Sequence, residues 1–254
     1  MGARCIGAGA ERAGVLVASM QPLSASALLH AWEAGSALNL PQRALVLLTA
    51  ANPGTPSAAL AQLTLGERDA RLIDLREQCF GSTVTAIAAC PTCGERVEMQ
   101  FDIAALRAPP ARSDAVFTLA DDAGLVRFRA VNSLDVLTLM DAPHANPKHA
   151  LAERCVIEGA GALTTAQVDA IAAALREADS QAEVSIALSC PNCGRQWQVL
   201  FDIASFFWRE IEAWAQRTLD DVHTLAMAYH WRESDILAMS AWRRQHYLLR
   251  IEGS

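Results

Sequence analysis

The sequence has no run of the roughly 18 to 20 consecutive apolar residues that a membrane-spanning helix requires, so no membrane association is expected. It also lacks a basic excess. A formal charge of −7 and a pI near 5.4 argue against gripping a phosphate backbone, and nucleic acid is not expected as a partner. There is no Gly-x-Ser-x-Gly elbow, no P-loop, no Gly-x-Gly-x-x-Gly after a strand and no His-Glu-x-x-His pattern. No catalytic residue is therefore assigned, and the chain reads as non-enzymatic. The six histidines are scattered, His223 and His230 lying seven apart on one expected helix, and read as solvated or core side chains. The first twenty residues place Glu11 and Arg12 ahead of a short apolar stretch without a cleavage site, so a cytoplasmic location is expected.

What is present is ample apolar mass, 52% of 254 residues, enough to bury a sizeable core. Seven cysteines are also present, four of them in two C-x2-C pairs, Cys90 with Cys93 and Cys190 with Cys193. Without a secretion signal, that spacing favours a metal site over a disulfide scaffold. Cys5, Cys79 and Cys155 stand alone and read as ordinary thiols.

The two pairs belong to an internal repeat. Residues 84–106 (VTAIAACPTCGERVEMQFDIAAL) align with residues 184–206 (VSIALSCPNCGRQWQVLFDIASF) at an offset of 100. After each Cys-Pro-x-Cys-Gly knuckle, apolar residues alternate (Val97, Met99, Phe101; Trp197, Val199, Phe201), the period of a half-buried strand. A strand is expected before each knuckle too, more clearly in the second copy, with Val184, Ile186 and Leu188. Asp102 and Asp202 then stand where they can cap helices beginning at Ile103 and Ile203, which explains them better than a catalytic carboxylate pair.

A C-x2-C turn supplies two corners of a tetrahedral site, and glycine after the second cysteine permits the left-handed backbone that closes the turn. One knuckle leaves two corners empty. The economical arrangement is one zinc ion shared by Cys90, Cys93, Cys190 and Cys193, with the 96 residues between the knuckles inserted as an excursion. Four thiolates close the shell, so the zinc is expected to be structural, not catalytic. A redox dithiol would need its cysteine at a helix N-terminus, whereas strands follow these knuckles.

The expected fold is α+β and mainly helical, with a small antiparallel zinc-ribbon sheet built from two β-knuckle-β-α units. Its parts are a helical N-terminal region (1–82), a first knuckle unit (83–107), an inserted hairpin and helices (108–182), a second knuckle unit (183–206) and a helical tail (207–254). In the N-terminal region, Ser24 or Ser26 opens a helix, Pro41 begins another and Asn52-Pro53-Gly54 breaks the chain. The insertion starts with the Pro-rich stretch 108–112. Strands 116–119 and 125–128 then flank a turn at Asp121, Asp122, Ala123 and Gly124. Ser133 is expected to cap a helix through Met140, the loop around Pro143 and Pro147 to end it, and further helices to start near Lys148 and Thr165. In the tail, Trp208, Ile211, Ala215, Leu219, Val222, Leu225 and Tyr229 follow one helical face. A break at 230–234 precedes a short helix through Met239 and a last helix capped by Ser240.

Trp208, Trp214, Trp231 and Trp242 concentrate in this tail beside Arg232, Arg243, Arg244 and Arg250. Such residues favour protein interfaces, and they equally serve to pack a tail onto its own chain. Glu233, Asp235 and Glu252 offset most of the local positive charge.

Four stretches carry a resemblance: LPQRALVLLTAA (40–51), LGERDARLIDLREQCFG (65–81), the CPTCG and CPNCG units leading into FDIA, and the tail 208–249. The tail contributes His223 to Ala226, Tyr229 to Trp231, and Ile236 with Leu237. Together they resemble proteins encoded among tail and baseplate genes of contractile phages and contractile injection systems, related to the T-even phage baseplate protein family. The resemblance implies a non-enzymatic structural or assembly role, with other baseplate or tail proteins as partners; by their residue types alone, Trp208, Trp214, Trp231, Trp242 and Arg243 are the candidate contacts. Two alternatives are a zinc-ribbon adaptor in a nucleic-acid process, which the acidic charge opposes, and an enzyme whose zinc is only structural.

Overall fold

The computed structural model describes residues 20–121, 124–141, 144–159 and 161–253. Cys5, Glu11, Arg12, Asp122, Ala123 and Pro143, named above, lie outside the described residues. The fold is mixed α and β, predominantly helical, with small antiparallel sheets.

The N-terminal region forms α1 (Ala25–Gly35), α2 (Leu40–Ala51), α3 (Ser57–Ala61) and α4 (Leu65–Phe80). Side-chain caps start three of them. The Ser24 hydroxyl accepts from Ala27 N–H, and Asn39 with Gln42 and Thr64 with Glu67 form reciprocal capping boxes. Pro41 falls in the first turn of α2, where its missing N–H costs nothing. Leu28, Leu47, Leu48, Leu72 and Ile73 pack into the main core together with Phe207, Trp208 and Ile211 from the far end of the chain.

The first repeat unit is the hairpin β1 (Thr83–Ala89) and β2 (Arg96–Asp102), followed by a one-turn 3-10 helix, Ile103–Leu106. The second is the hairpin β6 (Ser185–Ser189) and β7 (Gln196–Leu200), followed by α8 (Ile203–Tyr229). Two expectations are corrected here. The strands form two separate two-stranded sheets, not one ribbon sheet, although a strand precedes each knuckle as expected. The helix expected at Ile103 stops after one turn because Pro109 and Pro110 close off helical continuation.

Between the units, β3 (Val116–Asp121), β4 (Gly124–Arg129) and β5 (Val156–Glu158) form a three-stranded sheet in that order, packed with α5 (Ser133–Met140), α6 (Pro147–Cys155) and α7 (Thr165–Ala178). Leu119, Val126, Phe128, Cys155, Val168 and Ile171 give this insertion its own core. Asn132, not Ser133, caps α5, because its side chain reaches Asp135 N–H while Asp135 returns to Asn132 N–H. Pro147 opens α6 behind the Asn146 cap and does not belong to the preceding loop. Asp179 ties the insertion to the body, accepting from Gly66 N–H at 3.1 Å and Ala111 N–H at 2.7 Å. A Cβ on Gly66 would lie 1.9 Å from that carboxylate, so only glycine fits there.

The tail continues from α8 through the left-handed residue His230 (φ +54°) into α9 (Glu233–Ala238) and α10 (Ala241–Glu252). Val222, Leu225, Ile236 and Leu248 form a third small core, edged by Tyr229, Trp231 and Tyr247, with Trp231 stacked on Tyr229 at 4.5 Å. Among the described residues no helix is long and apolar enough to cross a membrane.

Candidate metal centre

Both knuckles close by the same two hydrogen bonds. Cys90 N–H donates to Glu95 O at 2.8 Å and Gly94 N–H to Cys90 O at 2.9 Å; Cys190 N–H donates to Arg195 O at 2.8 Å and Gly194 N–H to Cys190 O at 3.0 Å. Gly94 and Gly194 have φ of +75° and +71°, with open space where a Cβ would sit. Glycine is therefore demanded by backbone conformation and not by crowding. The first cysteine of each knuckle is buried and the second exposed.

The chain brings all four expected sulfur atoms together, every pair within 4.8 Å. Pairing runs across the knuckles: Cys90 Sγ lies 3.7 Å from Cys193 Sγ, and Cys93 Sγ 3.6 Å from Cys190 Sγ. A disulfide would need about 2.05 Å. A tetrahedron with metal–sulfur bonds of about 2.3 Å has edges of about 3.8 Å, close to both contacts. Asn192 adds a crossing contact, its amide 3.8 Å from Cys93 Sγ. Among the described residues no other group of three or more His, Cys, Asp or Glu side chains converges in this way.

Electrostatics within the cluster are uneven. Desolvation pushes the Cys90 thiol up, but hydrogen bonds from the Cys93 and Thr92 amides and the Cys193 thiol outweigh it and bring Cys90 down to about 6. For Cys193 the Arg195 amide pulls down, and desolvation with the Cys93, Cys90 and Cys190 thiols together drives it up to about 12. One thiolate thus forms readily and opposes others beside it, the situation a bound dication relieves. Four sulfur donors of this spacing suit a tetrahedral ion of the zinc or iron type. The lone thiols are different: burial pushes Cys79 up and Cys155 up to about 12, leaving both poor ligands and nucleophiles.

Two further connections fasten the same region, neither of them apparent in the sequence. Phe101 and Phe201, at matching repeat positions, meet edge to face at 6.1 Å. At the opposite end of the hairpins, the fully buried Arg76 of α4 donates to Gly81 O and Thr83 O at the entrance to β1. It also makes two bonds of 2.8 and 2.7 Å to Glu210 of α8. Sulfur atoms join the tips of the two units, and this ion pair, buried on the arginine side and half-buried at Glu210, joins their bases. Arg76 carries no motif; its only sequence signal is a cation on the apolar face of a helix.

The tail tryptophans separate into distinct environments. Trp208 is 3% exposed and packs in the main core beneath the Arg43 guanidinium at 4.6 Å, so it is not available to a partner. Trp214 packs half-buried on that core and Trp231 on the tail's own small core. Trp242 is exposed, and Arg243 beside it lies 5.9 Å over the Tyr247 ring.

No family model matches the chain, and neither a curated protein nor a solved structure matches it.

Proposed function

We propose that the four cysteines hold one structural zinc ion and that the chain is a non-enzymatic structural or assembly protein of a contractile, phage-tail-like machine. The observation that carries the metal reading is the donor set: four sulfur atoms within 4.8 Å, drawn from two hairpins 100 residues apart, leave no corner for substrate or water. Such an ion fastens and does not catalyse. It pins the N-terminal helices, the insertion and the long α8 arm around one point, a rigid frame suited to displaying surfaces. The contractile-machine reading rests on the resemblance of residues 40–51, 65–81, the paired knuckles and the tail.

The assembly role is tested by affinity purification of the full chain from cells expressing its entire gene cluster. A baseplate or tube component is expected to co-purify, and recovery of none overturns the role. Metal analysis of the same material is expected to give one zinc per chain; stoichiometric iron instead would overturn the choice of metal.

A further inference from the structure

In each knuckle the exposed second sulfur rests against the buried first sulfur of the other unit. Cys93 Sγ lies 3.6 Å from Cys190 Sγ, and Cys193 Sγ lies 3.7 Å from Cys90 Sγ. Reacting atoms are poised at about 3 to 3.5 Å, and sulfur is a large atom, so neither pair has to search for its partner. Contacts that involve no sulfur hold the pairs in register. Phe101 meets Phe201 at 6.1 Å, Arg76 joins the entrance of β1 to Glu210, and each turn is closed by its own two backbone hydrogen bonds. These contacts continue to present one knuckle to the other when a sulfur–metal bond is lost.

The direction of pairing decides the consequence of oxidation. A disulfide within a knuckle would enclose two residues and leave the tips of the units free. A disulfide across them joins residues 103 or 97 positions apart, and cross-links that close loops of about 100 residues restrict the unfolded chain strongly.

We propose that the four-cysteine centre is also a redox modification site, converted by peroxide to two cross-unit disulfides, Cys93 to Cys190 and Cys90 to Cys193, which keep the tips fastened without a metal. The exposed Cys93 sulfur takes one oxygen from hydrogen peroxide, becoming a sulfenic acid and releasing one water. The Cys190 sulfur attacks that sulfenic sulfur. The S–S bond forms, the S–O bond breaks, and the oxygen leaves with the Cys190 proton as a second water. Cys193 and Cys90 repeat the sequence, so four thiols and two peroxides give two disulfides and four waters, each peroxide accepting two electrons. Metal binding needs thiolates, so an oxidised pair no longer supplies ligands. The inference rests on the metal reading above for the reduced state and adds how the fastening persists under oxidation.

The test uses the purified full chain, its zinc content measured first. It is treated with hydrogen peroxide beside a chromogenic chelator, digested without reduction and mapped by mass spectrometry. One zinc is expected to be released per chain as the two cross-unit disulfides form, while the buried Cys155 stays a thiol. Dithiothreitol with added zinc should reverse both changes. The oxidised chain should melt within about 5 °C of the zinc form, whereas reduced chain stripped of zinc should melt roughly 10 °C or more lower. Zinc retained through the treatment, pairing of Cys90 with Cys93 or Cys190 with Cys193, any other pairing, or sulfinic acid in place of disulfides overturns the proposal and leaves the metal reading standing. So does an oxidised chain that melts with the reduced, stripped one. Cross-unit disulfides formed in material that holds no zinc as purified uphold the proposal and overturn the choice of metal.

Discussion

The two repeat units start alike and end differently. Each has an antiparallel hairpin, a Cys-Pro-x-Cys-Gly turn closed by the same bonds, a left-handed glycine and an aspartate cap. After Asp102 the chain makes one 3-10 turn; after Asp202 it makes 27 residues of α-helix. The cap is nearly the same in both, with Asp102 accepting from Ala104 N–H and Asp202 from Ser205 N–H and its hydroxyl. A cap therefore licenses a helix without setting its length. Length follows from what comes next: Pro109 and Pro110 in one copy, and in the other an apolar face of Phe207, Trp208, Ile211 and Ala215 that the N-terminal helices bury.

The sharpest way to break this pairing is at the sulfur atoms. Cys93→Ser and Cys193→Ser remove sulfur atoms from different units, yet the single shared ion proposed above would make their consequences equal. Each is expected to abolish metal binding and to lower Tm by roughly 10 °C or more, read by metal analysis and thermal denaturation. Survival of metal in either variant would mean that the units do not share it. At the opposite end, Arg76→Ala leaves Glu210 and two carbonyls without their donor. A loss of about 3 to 5 kcal/mol is expected in denaturant unfolding, with the metal still bound in the native state.

Smaller changes test how closely the turns match. Gly94→Ala and Gly194→Ala each force a left-handed alanine and should cost about 1 to 2 kcal/mol, equally in the two copies, by denaturant titration. A marked inequality would show that one knuckle relaxes and the other cannot. The caps should show the asymmetry instead. Asp202→Ala is expected to cost about 1 kcal/mol because a long helix depends on it, and Asp102→Ala less than about 0.5 kcal/mol because only one turn does.

Much of this was legible because it is local. The knuckles, the alternation of Val97, Met99 and Phe101, and the caps at Ser24, Asp202 and Ser240 are short-range signals, each with its own physical cause within a few residues. Misreadings arose where neighbouring residues compete for one local role. Ser133 and Asn132 both suit a cap, and only the returning Asp135 side chain decides between them. The four tail tryptophans read as one group because composition does not report burial: Trp208 lies deep against Gly35, whereas Trp242 stands in solvent.

The sequence by itself determined the four clustered cysteines and the two-copy plan, since a turn with a left-handed glycine and two cysteines is encoded in five consecutive residues. Only the tertiary structure decided that the copies remain separate sheets, that Cys90 faces Cys193 and Cys93 faces Cys190, and that Arg76 locks both bases through Glu210. Those choices depend on side chains up to 134 positions apart, and long-range packing and buried charge leave no periodic trace in the chain.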